Sequence, residues 1–449
     1  MNVIYIHTHD SGKLTGPYGV GLVNHAMRDF AEDALIFRNA FCTNPTCSPS
    51  RSSLLTGQYP HENGMLGLAN RGFMIDDYEK HLTRVLNNEG YISVLSGIQH
   101  EAARYTDHEI GSGHIGYTVN LTADVDGRSE QELVEWDKLN AANVVDWLSS
   151  YDSSKPFFLS YGMFSTHRQF PEVENGHVNK NFITPPDVIA DNETTREDYA
   201  QYLESLEIAD NCFGSVIQSL KDHGFYDNSI IILTTDHGAA FPFSKCNLTD
   251  DGIGVSMVMR VPGMPKTGIA TDSLVSQVDI FPTLCEILGI QVNHKLSGHS
   301  FAKIFDNPLT KTREDIFATV NFHASYEPMR CVRTTRYKYI KYFDSYDKVN
   351  LSNMDESMTK DFYLENGLSE KRKEMEALYD LYYDKHERNN LINDANHSDI
   401  ISEMRIRLNE YMVETNDPLL NGPIEILDTW KVNKVTSTTA SPKDPNEYE

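Results

Sequence analysis

The chain of 449 residues predicts an α/β fold with a large, mainly parallel sheet and a smaller C-terminal α+β unit. Three observations carry this. Short apolar runs at residues 2–6, 91–96, 157–161 and 229–235 read as strands, the last a continuous β-branched run of the kind covered on both faces. Helical patterns at 82–90, 140–148 and 196–223 separate them, which is the alternation of a parallel sheet with crossover helices. From about residue 319 the texture changes: 329–341 alternates like a hairpin, 376–381 reads as a further strand, and 398–413 as a closing helix. The expected domains are 1–318 and 319–430. Residues 431–449 are polar and lack apolar periodicity, and are expected to form a disordered or loosely attached tail.

Ligand groups in such sheets gather at the carboxyl ends of strands. The first strand runs into His7-Thr8-His9-Asp10, which places His9 and Asp10 for metal binding, a polar turn being the competing reading. Cys47-Ser48-Pro49-Ser50-Arg51 then opens an apolar run. Proline suits the start of a helix, so Cys47 lies at a helix mouth, where free N–H groups and the dipole favour negative charge. Arg51, one turn on, leans toward the same spot, although a lone cysteine is more commonly a structural thiol. The helix at 82–90 stops at a glycine, and the strand after it delivers Gly97-Ile98-Gln99-His100. The strand at 157–161 runs into Phe164-Ser165-Thr166-His167. Apolar residues at three- and four-residue spacing mark 196–223 as a packing helix without function. The strand at 229–235 delivers Asp236-His237, a second metal half-site that adjacency of the two central strands would bring to the first. Lys245 follows in the next loop, and Asp279 is placed to cap a helix.

Composition narrows the function classes. A formal net charge of −26 repels nucleic acid and anionic membranes, so neither is an expected partner, and an anionic substrate needs a local basic pocket. The six cysteines are scattered and read as reduced thiols. No run is long and apolar enough to span a membrane, and the start lacks the pattern of a secretory signal, so the expected location is cytoplasmic.

Cys47-Ser48-Pro49-Ser50-Arg51, with Leu55-Thr56-Gly57 behind it, resembles the signature of type I, formylglycine-dependent sulfatases. Four further motifs fall in the family's order across nearly the whole chain. The resemblance implies an alkaline-phosphatase-like sandwich, with a large mixed, mainly parallel central sheet and a small C-terminal α+β domain. It implies that a formylglycine-generating maturase converts Cys47 to formylglycine, and that His9, Asp10, Asp236 and His237 hold one divalent metal. That ion is Ca²⁺ by family, or Mn²⁺ or Zn²⁺ in view of the imidazoles. Arg51, His100, His167 and Lys245 become catalytic residues alongside Cys47; His167, Lys245, His323 and Arg330 become substrate-binding residues. Two positions depart from the family pattern: His9 stands where sulfatases carry aspartate, and Ile98 where they carry lysine, with Arg104 a candidate to return the missing cation. Residues 240–245, His323 with 326–330, and 414–418 are similar to heparan N-sulfatases, the N-sulfoglucosamine sulfohydrolases. The implied substrate is a sulfated saccharide, N-sulfoglucosamine of heparan or heparin fragments by preference. Competing readings are an O-sulfatase on another glycan, a phosphonate or phosphodiester hydrolase of the same superfamily, and a non-catalytic sugar-binding relative with unmodified Cys47.

Overall fold

The structure is a computed structural model that describes residues 1–20, 25–103, 111–125, 127–152, 154–173 and 178–449. Eight strands form the main sheet: β1 (Asn2–Thr8), β2 (Leu35–Phe41), β3 (Ile92–Gly97), β4 (Val119–Asn120), β5 (Phe157–Gly162), β6 (Ser229–Thr235), β7 (Met257–Arg260) and β8 (Ile269–Ser276). Their order is β4-β3-β5-β1-β6-β7-β2-β8, with only β7 antiparallel to its neighbours. β1 lies between β5 and β6, parallel to both, with Val3 opposite Phe158 and Ile230.

Alternation along the central strands explains why they are apolar throughout. Val3, Tyr5, Ile230 and Ile232 pack into one core, whereas Ile4, Ile6, Ile231 and Leu233 pack into another on the opposite face. The helix Glu193–Asp222 covers the second face with Ala209, Phe213, Val216 and Leu220. Its amino end sets Tyr199, Tyr202 and Leu206 against Phe170 and Phe241, loop residues beside the carboxyl ends of β5 and β6. Asn192 caps it by accepting from the Thr195 N–H at 3.1 Å. The helix Leu133–Ser150 starts earlier than the 140–148 pattern indicates.

The second sheet is antiparallel, ordered β12-β11-β10-β9, from β9 (Asp315–Phe322), β10 (Tyr326–Thr334), β11 (Tyr337–Tyr342) and β12 (Glu376–Asp380). The helix Ser398–Glu414 packs on it through Ile401, Met404 and Leu408 against Val332, Tyr339 and Leu378. The expected boundary at 318/319 falls inside β9, which starts at Asp315. The other face of this sheet merges with the main core, as Ala318, Val320 and Cys331 share a cluster with Phe41 and Leu54.

Two features correct the sequence reading. A helix, Met358–Glu365, interrupts the C-terminal unit and turns Tyr363 onto the main domain, where its hydroxyl oxygen accepts from the Ala190 N–H at 2.8 Å. The segment 431–449 is neither disordered nor loose: Val432 and Asn433 are buried, and Asn433 N–H donates to Ala324 O at 2.8 Å. Its anchors are polar side chains and backbone carbonyls, which leave no apolar period to detect. No described helix is long and apolar enough to cross a membrane.

Candidate active site

The pairing of β1 with β6 sets the site. His7 and Thr8 lie opposite Thr234 and Thr235, so His9-Asp10 and Asp236-His237 leave the sheet side by side. Asp10 turns at φ 53°, and its N–H donates to Asp236 Oδ1 at 2.9 Å, which locks the two half-sites together. β5 braces the same turn: His9 N–H donates to Ser165 O at 3.0 Å and Thr166 N–H to His9 O at 2.8 Å.

The helix Cys47–Thr56 begins at Cys47 itself, after Thr46, so Pro49 is its third residue rather than its first. Every residue of it is buried. Ser50 Oγ donates to Asp236 O at 2.6 Å, and Gly57, at φ 66°, ends the helix in the left-handed conformation open to glycine. Burial pushes the Cys47 thiol well above its ordinary value, partly opposed by Lys245.

Four side chains converge beside that thiol. His9 Nδ1 lies 2.8 Å from Asp10 Oδ1 and 3.6 Å from Asp236 Oδ2; His237 Nε2 lies 3.2 Å from Asp10 Oδ1 and 3.7 Å from Asp236 Oδ2. Ligand atoms of His9, Asp10, Cys47 and Asp236 all lie within 4.8 Å of one another. The residues fit a cation on a specific ground. His237 Nδ1–H donates to Gly238 O at 3.0 Å, which leaves Nε2 as a lone pair, buried, without a hydrogen-bond partner and facing a carboxylate oxygen. Two acceptors in contact repel each other unless a cation lies between them. The spacing of about 3 Å is that of neighbouring ligands around an ion whose bonds are ~2.0–2.4 Å long.

Charged neighbours hold both carboxylates ionised. Burial raises the Asp236 pKa, but His237, His9 and Arg51 overcome it and the net shift is downward. Arg51 donates from Nη2 to Asp236 Oδ2 at 2.9 Å and from Nη1 to His7 Nδ1 at 2.7 Å. For Asp10, Lys245 is the strongest influence opposing burial, its Nζ donating to Oδ2 at 2.7 Å, and the carboxyl lies well below its usual range. Burial holds His9 down at about 4, and pulls His100 well below the usual imidazole range with His9 adding to the effect.

Cys47, His100, His167, Lys245 and His323 share a cavity of about 270 Å³. His100 Nδ1 lies 3.1 Å from His9 Nε2, and His167 Nε2 lies 3.9 Å from Asp10 Oδ2. His323 is buried and, chiefly by desolvation, held down at about 3. Arg330 is not at this cavity, which corrects its assignment to substrate. It is wholly buried between β9 and the end of the chain's last long helix, donating to Asp417 through Nε and Nη2 at 2.5 and 2.9 Å and to Val320 O and Met329 O through Nη1. Ile98 explains the missing lysine: it is buried with Leu133, Trp136 and Phe164, an apolar cluster where an ammonium would have no partner. Arg104 lies outside the described residues.

Sequence reasoning missed three participants. His7 accepts from Arg51 and so orients it. Asp355 Oδ2 lies 3.0 Å from Lys245 Nζ, and its pKa falls despite burial because of that lysine. Arg71 lines the cavity from a turn after the Cys47 helix. His7 stands two residues before a motif position and carried a signal; Asp355 sits in an irregular stretch and carried none.

The family model described as Sulfatase matches residues 2–290, more than half of the chain. The chain belongs to the sulfatase family. A second model, N-sulphoglucosamine sulphohydrolase, C-terminal, matches residues 237–375 of this sulfatase. An ulvan-active sulfatase of Formosa agariphila is 23% identical, with 98% of this chain and 80% of that protein covered. The N-sulphoglucosamine sulphohydrolase of Homo sapiens is 26% identical, with 95% and 93% covered. Among solved structures, a sulfatase from Bacteroides thetaiotaomicron superposes with a TM-score of 0.73 at 19% identity, covering 98% of this chain and 99% of that one. A phosphonate monoester hydrolase of Agrobacterium radiobacter reaches 0.70 at 19% identity, covering 92% and 96%. These likenesses agree with the expected alkaline-phosphatase-like sandwich, and the sulfatase is a sulfuric ester hydrolase by class.

Proposed function

We propose that this enzyme removes sulfate from N-sulfoglucosamine of heparan or heparin fragments. The observation that carries the hydrolase chemistry is the buried contact between His237 Nε2 and Asp10 Oδ1, 3.2 Å apart, beside Cys47. The sugar preference rests on the match of the sulphoglucosamine C-terminal model and on the human relative's coverage of 95% of the chain. When present, a formylglycine made from Cys47 by a maturase and a divalent ion on His9, Asp10, Asp236 and His237 supply the nucleophile and the Lewis acid. Mixed imidazole and carboxylate ligands suit Mn²⁺ or Zn²⁺, and the family's Ca²⁺ remains the alternative.

The chain's own residues do the rest. Arg51, anchored on His7, fixes the Asp236 carboxylate and keeps it charged. Lys245, held between Asp10 and Asp355, places an ammonium on the cavity wall, where it attracts the sulfate. His167 is half-buried in the cavity lining and is placed to hold sulfate and pass a proton to the leaving nitrogen. His100, kept neutral by burial, is in the form that accepts a proton. A reducing, cytoplasmic setting is part of the proposal, supported by six buried cysteines that are all free.

The test joins two measurements on protein matured in its native host. The Cys47 peptide should carry the mass of formylglycine, and sulfate should be released from N-sulfoglucosamine faster than from a 6-O-sulfated glucosamine. An intact thiol throughout would remove the enzyme mechanism. Turnover of a phosphonate ester alone would favour the chemistry named for the Agrobacterium radiobacter neighbour.

A further inference from the structure

The segment after residue 430, polar and without periodicity, reaches the cavity. Ala440 and Ser441 line it together with Arg71, Ala324, His167 and Phe164. It is built in rather than draped. Arg71 is 8% exposed and donates to Lys431 O at 3.0 Å, to Asn433 Oδ1 at 3.1 Å and to Ala440 O. Asn433, wholly buried, donates from Nδ2 to Thr439 O at 3.0 Å and Ala440 O at 3.1 Å. Lys360, on the helix Met358–Glu365, donates to Thr438 O at 2.9 Å. The carbonyls of 438, 439 and 440 are therefore all bonded to buried side chains, which fixes the course of the backbone where it borders the cavity.

Arg71 has a further property. Among the described residues no carboxylate lies within ion-pair distance of it, and Ala324 O, Lys431 O, Asn433 Oδ1 and Ala440 O, which accept from it, are all neutral. A guanidinium buried against neutral acceptors is costly, so the segment that supplies those acceptors is held tightly to it. The pocket is also small: about 270 Å³ lies below the ~300–1,000 Å³ usual for ligand cavities, which leaves room for one sulfated ring rather than two. Glu130, Gln169 and Glu356 are exposed at its mouth.

We propose that residues 431–441, pinned by Arg71, are the wall that ends the substrate pocket and restrict the enzyme to a sulfated sugar at a chain end. This deepens the reading above and rests on it. A sugar whose neighbours extend on both sides meets Ala440 and Ser441; a terminal sugar directs its one neighbour out past Glu130, Gln169 and Glu356. Arg71 is a positioning residue here, acting through the segment it holds.

The experiment compares sulfate release from N-sulfoglucosamine and from a trisaccharide carrying the same group on its middle unit. Wild-type enzyme should favour the former in kcat/KM at least 100-fold. A chain lacking residues 436–449 should bring the ratio below tenfold, mainly by lowering KM for the trisaccharide. Arg71→Lys keeps the charge but cannot hold the same fan of acceptors, and should relax the ratio in the same direction. If the shortened chain fails to fold, Ala440→Trp replaces it, and should raise KM for the monosaccharide at least tenfold with kcat within twofold. Equal rates on both sugars by wild type, an unchanged ratio in the folded shortened chain, or an unchanged KM in Ala440→Trp each overturn the wall. Release from neither sugar overturns the sugar-sulfatase reading, and the wall with it.

Discussion

Arg330→Ala is the substitution that best separates a structural from a functional arginine in this fold. Arg330 is fully buried, and so is Asp417, with which it makes a two-pronged pair at 2.5 and 2.9 Å. Its remaining nitrogen serves Val320 O at 2.9 Å and Met329 O at 3.0 Å. Alanine leaves the Asp417 carboxylate without its partner in a site closed to water. Removing one member of a buried ion pair costs about 3–5 kcal/mol, which is a large share of the ~5–15 kcal/mol that separates most folded domains from their unfolded chains. The two carbonyls add to the loss, though not by simple addition. Urea unfolding should therefore show Arg330→Ala destabilised by about 3–5 kcal/mol. The double variant Arg330→Met with Asp417→Leu should recover much of that, because it removes both charges. Enzyme that remains folded should keep its KM for N-sulfoglucosamine, since the arginine does not reach the cavity. A KM raised tenfold or more, with stability within ~1 kcal/mol of wild type, would return Arg330 to the substrate and refute the structural reading.

Three further outcomes follow from the site. A divalent ion at about 100 times its Kd should stabilise the protein by ~2.7 kcal/mol; thermal unfolding with and without a chelator measures this, and Asp236→Asn should erase most of it. Glu101 is buried and its carboxyl is pushed up to about 8 by desolvation, from an ordinary value of 4.5. The unfolded chain therefore releases this proton first, the folded state binds the extra proton between about pH 4.5 and 8, and stability falls as pH rises through that window by ~1.4 kcal/mol per unit. Glu101→Gln should flatten that slope in urea midpoints taken at pH 5 and pH 8, and an unchanged slope would count against it. Ile98→Lys restores the residue common in the family, but buries an ammonium among Leu133, Trp136 and Phe164; the expected result is a loss of several kcal/mol in chemical unfolding and no gain in kcat.

The sequence exposed those parts of the site that strands deliver. β1 and β6 are unbroken apolar runs because both of their faces are covered, and such runs announce both themselves and the residues that follow them. His9, Asp10, Asp236 and His237 were legible for that reason. The Cys47 helix was legible by a different route, through its spacing, since its ten residues are all buried and show no polar face to set against an apolar one. Arg330 misled because an arginine beside motif-like neighbours reads as available, and only the fold reveals that Asp417, far along the chain, already holds it. The segment after residue 430 misled in the opposite direction. Order there depends on Arg71, Asn433 and Lys360 bonding backbone carbonyls, and carbonyls are the same in every sequence. Asp355 was hidden likewise, its role depending on a lysine more than a hundred positions earlier.

The charges at the site bear on how a strongly acidic protein holds an anion. Asp10, Asp236 and Asp355 contribute three negative charges around the metal ligands and Lys245. Arg51 and Lys245 return two positive ones, each in contact with a carboxylate it keeps ionised. His9, His100 and His323 add nothing at neutral pH, because burial holds all three below their ordinary range. Asp10, Asp236, Asp355, Arg51 and Lys245 together thus carry one net negative charge, inside a chain whose formal net charge is −26. A divalent ion held by His9, Asp10, Asp236 and His237 would turn that sum to plus one, the complement of a sulfate monoester. The basic residues offset most of the carboxylate charge and so permit a dense carboxylate site to exist without expelling its own charge, and a bound ion would add to the attraction that Lys245 offers the sulfate. Lys245 belongs to both halves of the argument, since one ammonium contacts Asp10, contacts Asp355 and borders the cavity.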